Sequence, residues 1–273
     1  MMEPLVIARG GQIVLELAGD PTSKELLEAR NLVAHGGALE LKVVDDCAAP
    51  AASGCTSADA HSGSPYMTQL HRDVARDPEA QRAGVRTEID TWSNDNGSAH
   101  TDYYLCAGDR VVLEQYLRDL ATRDPSLRVP DDHELAFEHV TTSDDTHWRS
   151  YYLERAPRIT GADISSVTGT ADPNTGTPLV MLDFGSHGRQ VFSDVTEQIV
   201  GMKLVAILDG TVVSAPVINA PIRGGRASIA MGGANIAAQE HTRDELVKSL
   251  RIRAILTPLR LVSESTLGTP AKP

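Results

Sequence analysis

The chain has 273 residues, of which only 4% are aromatic, and its formal net charge is -12. This length allows two compact domains or one large domain, and the core must be built mainly from aliphatic side chains. The acidic balance argues against a nucleic-acid partner, because binding to phosphates depends on Lys and Arg.

The first elements, within residues 12–46, are predicted to be strand, helix and strand. Apolar residues alternate in QIVLELAG at 12–19 and in ALELKVV at 38–44. Between them, Thr22 and Glu25 have the spacing of a capping box, and Gly36-Gly37 marks the end of the helix. Residues 47–64 are rich in Ala, Ser, Gly and Pro, which predicts an inserted surface loop.

The middle of the chain continues with helices and pairs of strands. We predict a short helix near 66–76, strands at TEIDTW and HTDYYL, a helix that starts at Asp109, and strands at ELAFEHV and WRSYYLE. Strands and helices mixed in this order predict an α+β fold.

The last part of the chain begins near RITGADI, at residues 158–164. It contains the predicted strand PLVMLDF, a helix at 186–200, a helix near 237–251 and a closing strand PLRLVSE at 258–264. Between the helices, two strand-like runs flank Asp209-Gly210, which predicts a hairpin with a primed turn. We expect this hairpin to lie at a sheet edge, where Pro216 would block further strand pairing.

Catalytic and cofactor motifs are missing from the sequence. It contains no GxSxG, phosphate-binding loop, dinucleotide fingerprint or HExxH. We therefore predict no enzymatic activity, no catalytic residue, no metal and no cofactor, and we expect the histidines to lie at the surface. The RGGR sequence at 223–226 fits an anion-binding nest or a simple glycine turn, and the turn is favoured.

The three cysteines lack the CxxC spacing of a zinc or thioredoxin site. Cys47 and Cys55 flank the flexible segment AAPAASG, which a disulfide could close in an oxidising compartment. We predict that these two are bridged and that Cys106 is free, with three reduced thiols as the alternative. No window has the ~18 apolar residues of a membrane helix, and the first residues lack a signal-peptide pattern.

Several signatures in a fixed order resemble the first periplasmic domain of the SecD family of protein-export membrane proteins. They are Thr160-Gly161-Ala162-Asp163, Phe192 with Thr196, Leu208-Asp209-Gly210, Ser214-Ala215-Pro216-Val217-Ile218 and Gly224-Gly225-Arg226. The resemblance extends over about 155–264 and over 12–46, whereas 47–154 resembles the family least.

This resemblance implies a ferredoxin-like base of mixed strands and helices with an inserted smaller α+β head domain. The base would comprise 1–156, with an enlarged insertion at 47–131, the head 157–233, and a return to the base 234–273. The family further implies a bacterial inner (plasma) membrane protein whose domain faces the periplasm. Its partners would be unfolded preprotein and, through the full-length protein, SecF and SecYEG. Contact with the membrane would occur only through transmembrane helices absent from this chain.

From the resemblance and the hairpin pattern we expect a binding site for unfolded preprotein. Its predicted residues are Leu208, Val213, Pro216, Ile218 and Ile222. Thr160, Gly161, Gly232 and Gly233 would form a hinge between head and base. Three alternatives stay open: a hairpin that is only the core of a small domain, a docking module that binds no cargo, and a hydrolase with an unrecognised site.

Overall fold

The computed structural model describes residues 5–9, 12–16, 39–46, 64–93, 99–142, 145–231 and 235–254. The chain divides into two compact units, Met1–Gly37 with Leu256–Pro273, and Ala38–Ile255. In the first unit, β1 (Leu5–Arg9) and β2 (Gln12–Glu16) pair as an antiparallel hairpin. The predicted helix at 22–36 and the predicted closing strand at 258–264 lie outside the described residues.

The second unit contains eleven of the described strands. In chain order they are β3 (Leu39–Val43), β4 (Arg86–Ser93), β5 (Ala99–Ala107), β6 (His133–Thr141), β7 (Thr146–Glu154), β8 (Ile159–Thr160), β9 (Ile164–Ala171), β10 (Pro178–Phe184), β11 (Leu204–Leu208), β12 (Thr211–Ser214) and β13 (Arg226–Ala230).

These strands form two sheets. The larger is eight-stranded, in the order β4-β5-β7-β6-β12-β11-β3-β8, and the smaller is three-stranded, in the order β13-β10-β9. Neighbouring strands are antiparallel except β12 and β6, which are parallel. The larger sheet is therefore mixed, and with the helices it confirms the predicted α+β class.

Five α-helices of the second unit are described. They are α1 (Pro65–Arg76), α2 (Pro78–Ala83), α3 (Arg110–Arg123), α4 (Ser186–Gln198) and α5 (Ile236–Ala254). The helices α1 and α3 begin at side-chain caps, since Ser64 accepts a hydrogen bond from the N–H of Met67 and Asp109 accepts one from that of Val111. The capping interactions fix where the two helices begin.

Among the described residues, hydrophobic side chains pack into three cores. The first core lies among the three-stranded sheet, α4, α5, β3 and β11, and includes Leu182 and Phe192. The second core includes Tyr151 and Leu153 of β7, and the third lies under α1 and α3. Strand β11 belongs to two cores, because Leu204 and Ala206 lie in the first while Val205 and Ile207 lie in the second. Burial on both faces explains its uninterrupted apolar sequence.

The primed turn predicted for the hairpin is confirmed, but its predicted position at a sheet edge is wrong. Asp209 and Gly210 have φ values of 52° and 74°, as a primed two-residue turn requires. However, β12 pairs with β6 and β11 pairs with β3, so both strands of the hairpin have a neighbour on each side. The second strand also ends at Ser214, before Pro216. The division into base and head, with boundaries near 156 and 233, stays a prediction.

Candidate functional site

A groove with a volume of ≈ 610 Å³ lies between the three-stranded sheet, α4, β11 and the segment that follows β12. Its wall is formed by residues 216–223, which we call the wall segment. The groove floor is apolar, because Leu182, Phe192, Leu204 and Ile229 belong to the first core and are at most 5% exposed. A groove of this size with an apolar floor is typical of ligand sites.

The wall segment is fixed to the protein at its beginning and its end. Near its beginning, the carbonyl of Pro216 accepts a hydrogen bond from Leu204 N–H at 3.1 Å, and Ile218 N–H donates to the carbonyl of Met202 at 2.9 Å. Near its end, Ile222 N–H donates to Oγ1 of Thr196 at 2.9 Å. Between these anchors, the side chains of 219–221 are exposed. The prolines at 216 and 221 suit a segment outside the sheet, because proline has no N–H to donate.

Charged groups lie at the exposed rim, and each has a partner of opposite charge. Arg226 donates to Asp183 at 2.6 Å, and Arg223 donates to Glu197 at 3.1 Å. Surface pairs of this kind contribute little stability. This pairing argues against an anion-binding nest in the RGGR sequence and favours the simple glycine turn, because both of its arginines already contact carboxylates.

The structure brings three of the five predicted binding residues together at the groove. Pro216, Ile218 and Ile222 line it, whereas Leu208 and Val213 do not and pack, partly buried, against the first core. The three lining residues differ in exposure: Pro216 is exposed, Ile222 is half-buried and Ile218 is buried at 5%. Whether they bind cargo stays a prediction.

The predicted hinge is described only on one side. Thr160 caps a 3₁₀ turn at Gly161–Asp163, where its N–H and hydroxyl donate to the Asp163 carboxylate at 3.0 and 3.2 Å. Gly232 and Gly233 lie outside the described residues. The hinge therefore stays a prediction.

The predicted disulfide between Cys47 and Cys55 also lies outside the described residues. Cys106 is free and buried in β5, and its thiol donates to the Glu88 carboxylate at 3.4 Å. Burial, and then the negative charge of Glu88, raise the pKa of this thiol to about 12. A buried thiol with such a pKa is a poor nucleophile.

The prediction that the histidines lie at the surface is wrong for three of them. His100, His133 and His147 are at most 6% exposed. His133, for example, stacks on Tyr152 with 4.6 Å between ring centroids, and its Nε2 lies 3.1 Å from Asp45. Aromatic and carboxylate neighbours that lie far away in the sequence make burial of the imidazole favourable, so sequence spacing alone could not reveal it.

A buried polar cluster near the start of β11 was also not apparent from the sequence. Lys203 forms an ion pair with Asp102, and its Nζ donates to the Tyr104 hydroxyl at 2.9 Å. The indole Nε1 of Trp92 donates to the same Asp102 carboxylate at 2.8 Å. Nearby, burial and the charge of Asp102 raise the pKa of Asp46 to about 7.

Comparison with known proteins finds a family model that matches part of the chain. Residues 137–242 match the family model described as SecDF, P1 head subdomain. This range includes β10, α4, β11, β12 and β13, so it covers the elements that build the groove except β3, which contributes Leu41.

Curated proteins similar to this chain include two named Protein translocase subunit SecD. The one from Rickettsia prowazekii is 30% identical over 127 residues, which cover 46% of this chain and 23% of that protein. The one from Endomicrobium trichonymphae is 30% identical over 159 residues, which cover 58% of this chain and 32% of that protein. The chain thus matches about a third or less of the length of these relatives.

Solved structures that align with the chain include one described as "Structure and function of a membrane component SecDF that enhances protein export". The alignment covers 97% of this chain and 84% of that one, at 22% identity and a TM-score of 0.44. Among the helices in the part of this chain that the structure describes, none has the length and apolar character required to cross a membrane.

Proposed function

We propose that this chain, which resembles the first periplasmic domain of SecD, binds unfolded preprotein. It would bind the preprotein as it emerges from the Sec channel and assist its forward movement. The domain would face the periplasm as part of a bacterial inner-membrane protein, with SecF and SecYEG as partners of the full-length subunit. This function involves binding without an enzymatic step.

The observation that carries the proposal is the groove beside the wall segment. It offers ≈ 610 Å³ over an apolar floor, and Pro216, Ile218 and Ile222 line it. Unfolded polypeptides expose apolar side chains that folded proteins bury, so an apolar groove favours the unfolded form. Because the rim charges are paired, the groove imposes little demand on the charge of its ligand.

Strand β13 offers a second means of binding an extended peptide. It is an edge strand of the three-stranded sheet, and Ala227, Ser228 and Ile229 line the groove. Backbone groups at a free edge can pair with an extended chain of any sequence. The edge expected at the β11–β12 hairpin is thus replaced, in this proposal, by the edge of β13.

The experiment that tests the proposal is a titration of one secretory protein, in unfolded and in folded form, against this chain. Preference for the unfolded form is expected, because only that form presents extended apolar segments to the groove. The alternative, a docking module for other translocon subunits, predicts no such preference. Equal binding of both forms, or binding of neither, would contradict cargo binding.

Three substitutions then test the place of binding. Ile222→Asp puts a charge into the groove from a half-buried position and should weaken binding of the unfolded protein at least about tenfold. Val111→Asp is the matched control, because Val111 is 67% exposed on α3 and lies outside the groove. Ile218→Asp should instead destabilise the fold, since an unpaired charge would be buried. If I222D and V111D bind equally well, the groove is not the binding site.

A further inference from the structure

Three side chains from three neighbouring strands converge near one edge of the eight-stranded sheet. They are Glu88 of β4, Cys106 of β5 and His147 of β7, and their ligand atoms all lie within 4.8 Å of one another. A carboxylate, a thiol and an imidazole are the groups that bind zinc in proteins. We propose that these three residues form a zinc-binding site.

Two of the three distances between the ligand atoms fit one tetrahedral ion, and the third is within 4.8 Å. Bonds of about 2.0–2.3 Å from zinc to O, N and S place neighbouring ligands about 3.3–3.7 Å apart. Sγ of Cys106 lies 3.4 Å from Oε2 of Glu88, and Nε2 of His147 lies 3.6 Å from the same oxygen. Little movement would therefore bring all three atoms to a common ion.

His147 gives an independent indication of a ligand. Its side chain is only 7% exposed, and its Nε2 atom has no hydrogen-bond partner among the described residues. The Nε2 atom is 3.6 Å from the Glu88 carboxylate, which is too long for a hydrogen bond. A buried ring nitrogen without a hydrogen bond is costly, and a cation between Nε2 and the Glu88 carboxylate would satisfy both groups.

The surroundings have the features that support a bound metal. Nδ1 of His147 lies 2.8 Å from Oδ2 of Asp145, the arrangement in which a carboxylate orients a metal-binding histidine. Asp145 in turn is 2.7 Å from Arg86, and Arg149 is 2.7 Å from Glu138. Both nearby arginines are therefore paired with carboxylates other than the proposed ligand Glu88.

The chemistry requires loss of one proton. The thiol of Cys106 is buried and protonated, so Zn²⁺ replaces its proton, which passes to the solvent as the sulfur–zinc bond forms. Glu88 is 37% exposed and provides the path from solvent, where water would complete the coordination. The ion would connect three neighbouring strands of the sheet, β4, β5 and β7.

The test uses the whole chain with Cys47 and Cys55 replaced by Ser, so that Cys106 is its only thiol. Zinc is titrated against a chelating dye, and Co²⁺ is used as a spectroscopic probe. We expect one zinc per chain, a near-ultraviolet thiolate-to-cobalt band, and affinity that rises with pH. His147→Gln and Glu88→Gln should weaken zinc binding, H147Q by at least about 100-fold. His139→Gln, an exposed control on β6, should bind zinc like the parent.

Two results would overturn the site: absence of the cobalt–thiolate band, or zinc affinity that is unchanged in both H147Q and E88Q. If H147Q fails to fold, two measurements still test the site. They are zinc binding by E88Q, since Glu88 is partly exposed, and the cobalt spectrum of the parent. The outcome is independent of cargo binding, because none of the three ligands lines the groove. Failure of the preprotein titration would leave the zinc site standing, and the reverse also holds.

Discussion

The backbone N–H of Ile222 donates a hydrogen bond to Oγ1 of Thr196 at 2.9 Å, and this bond joins the end of the wall segment to α4. Thr196 is completely buried, and its hydroxyl donates to the carbonyl of Phe192 at 2.8 Å. One hydroxyl thus holds both a helix turn and the groove wall, which gives Thr196 a positioning role at the proposed site.

Replacement of Thr196 by Val should loosen the groove wall. Val has the same shape but no acceptor, so the N–H of Ile222 would lose its partner, at a cost of about 1–3 kcal/mol in the free energy of unfolding. Binding of an unfolded protein should weaken as well. Thr196→Ser keeps the hydroxyl and is the matched control. Urea unfolding of the two variants checks the prediction, and equal stability of T196V and T196S would contradict it.

The adjacent glycines of RGGR should respond differently to substitution. Gly225 has φ +65°, and a Cβ there would lie 2.6 Å from the Arg189 side chain, whereas a Cβ on Gly224 would meet nothing within 4 Å. Gly225→Ala should therefore cost at least about 1 kcal/mol, chiefly from the left-handed backbone, because the Arg189 side chain can move. Gly224→Ala should cost little. Thermal unfolding compares the two variants. Similar melting temperatures would show that alanine adopts the left-handed backbone at 225 without a measurable cost.

Asp46 should make the protein less stable as pH rises. Its folded pKa is about 7, above the ordinary value of 3.8, because the carboxyl is buried and lies near Asp102. The folded chain holds this proton over an interval in which the unfolded chain has released it. The contribution of Asp46 to stability is therefore greatest below about pH 4 and falls as pH rises toward 7, by up to about 4 kcal/mol.

The substitution Asp46→Asn should remove this fall in stability with rising pH. The variant should be more stable than the parent at pH 8 and equally stable at pH 4, as measured by urea unfolding at both values. The exposed Asp131→Asn serves as the control and should leave the pH dependence unchanged. A D46N chain whose stability falls with pH as steeply as that of the parent would show that another group is responsible.

Lys203 should be essential for stability as long as Asp102 is charged. Both side chains are less than 10% exposed and form an ion pair. Lys203→Met leaves the carboxylate buried without a cation and should cost about 3–5 kcal/mol. The double variant D102N/K203M should recover part of this loss, because it removes both charges of the ion pair. Unfolding of the single and double variants completes the cycle, and K203M as stable as the double variant would count against the prediction.

The fold was predictable where one stretch of sequence determines one element. The alternation in β3, the start of α3 at Asp109 and the Asp209-Gly210 turn all depend on neighbouring residues, and the structure has each of them. Strand β9 was not predicted, because only Val167 of its eight residues is buried and no apolar period is visible. Its pairing with β10, which the local sequence does not encode, makes it a strand.

The candidate site was predictable only in part, for the same reason. The segment around Pro216 and Ile222 carried a recognisable signature, but the groove exists because β13 and α4 lie opposite it. The approach of His147 to Cys106 likewise results from strand order, since β7 pairs with β5 although α3 and β6 separate them in the sequence. Contacts of this kind depend on the order of the strands in the folded sheet, so the local sequence does not predict them.

The position of β11 has a consequence for how the second unit unfolds. Its successive side chains alternate between two hydrophobic cores, and its backbone is hydrogen-bonded to β12 on one side and β3 on the other. Neither core can open without loss of the strand that the other requires. The amide protons of β11 should therefore be among the slowest to exchange with deuterium, and the two cores should exchange through one cooperative opening, even though they are built from distant parts of the chain.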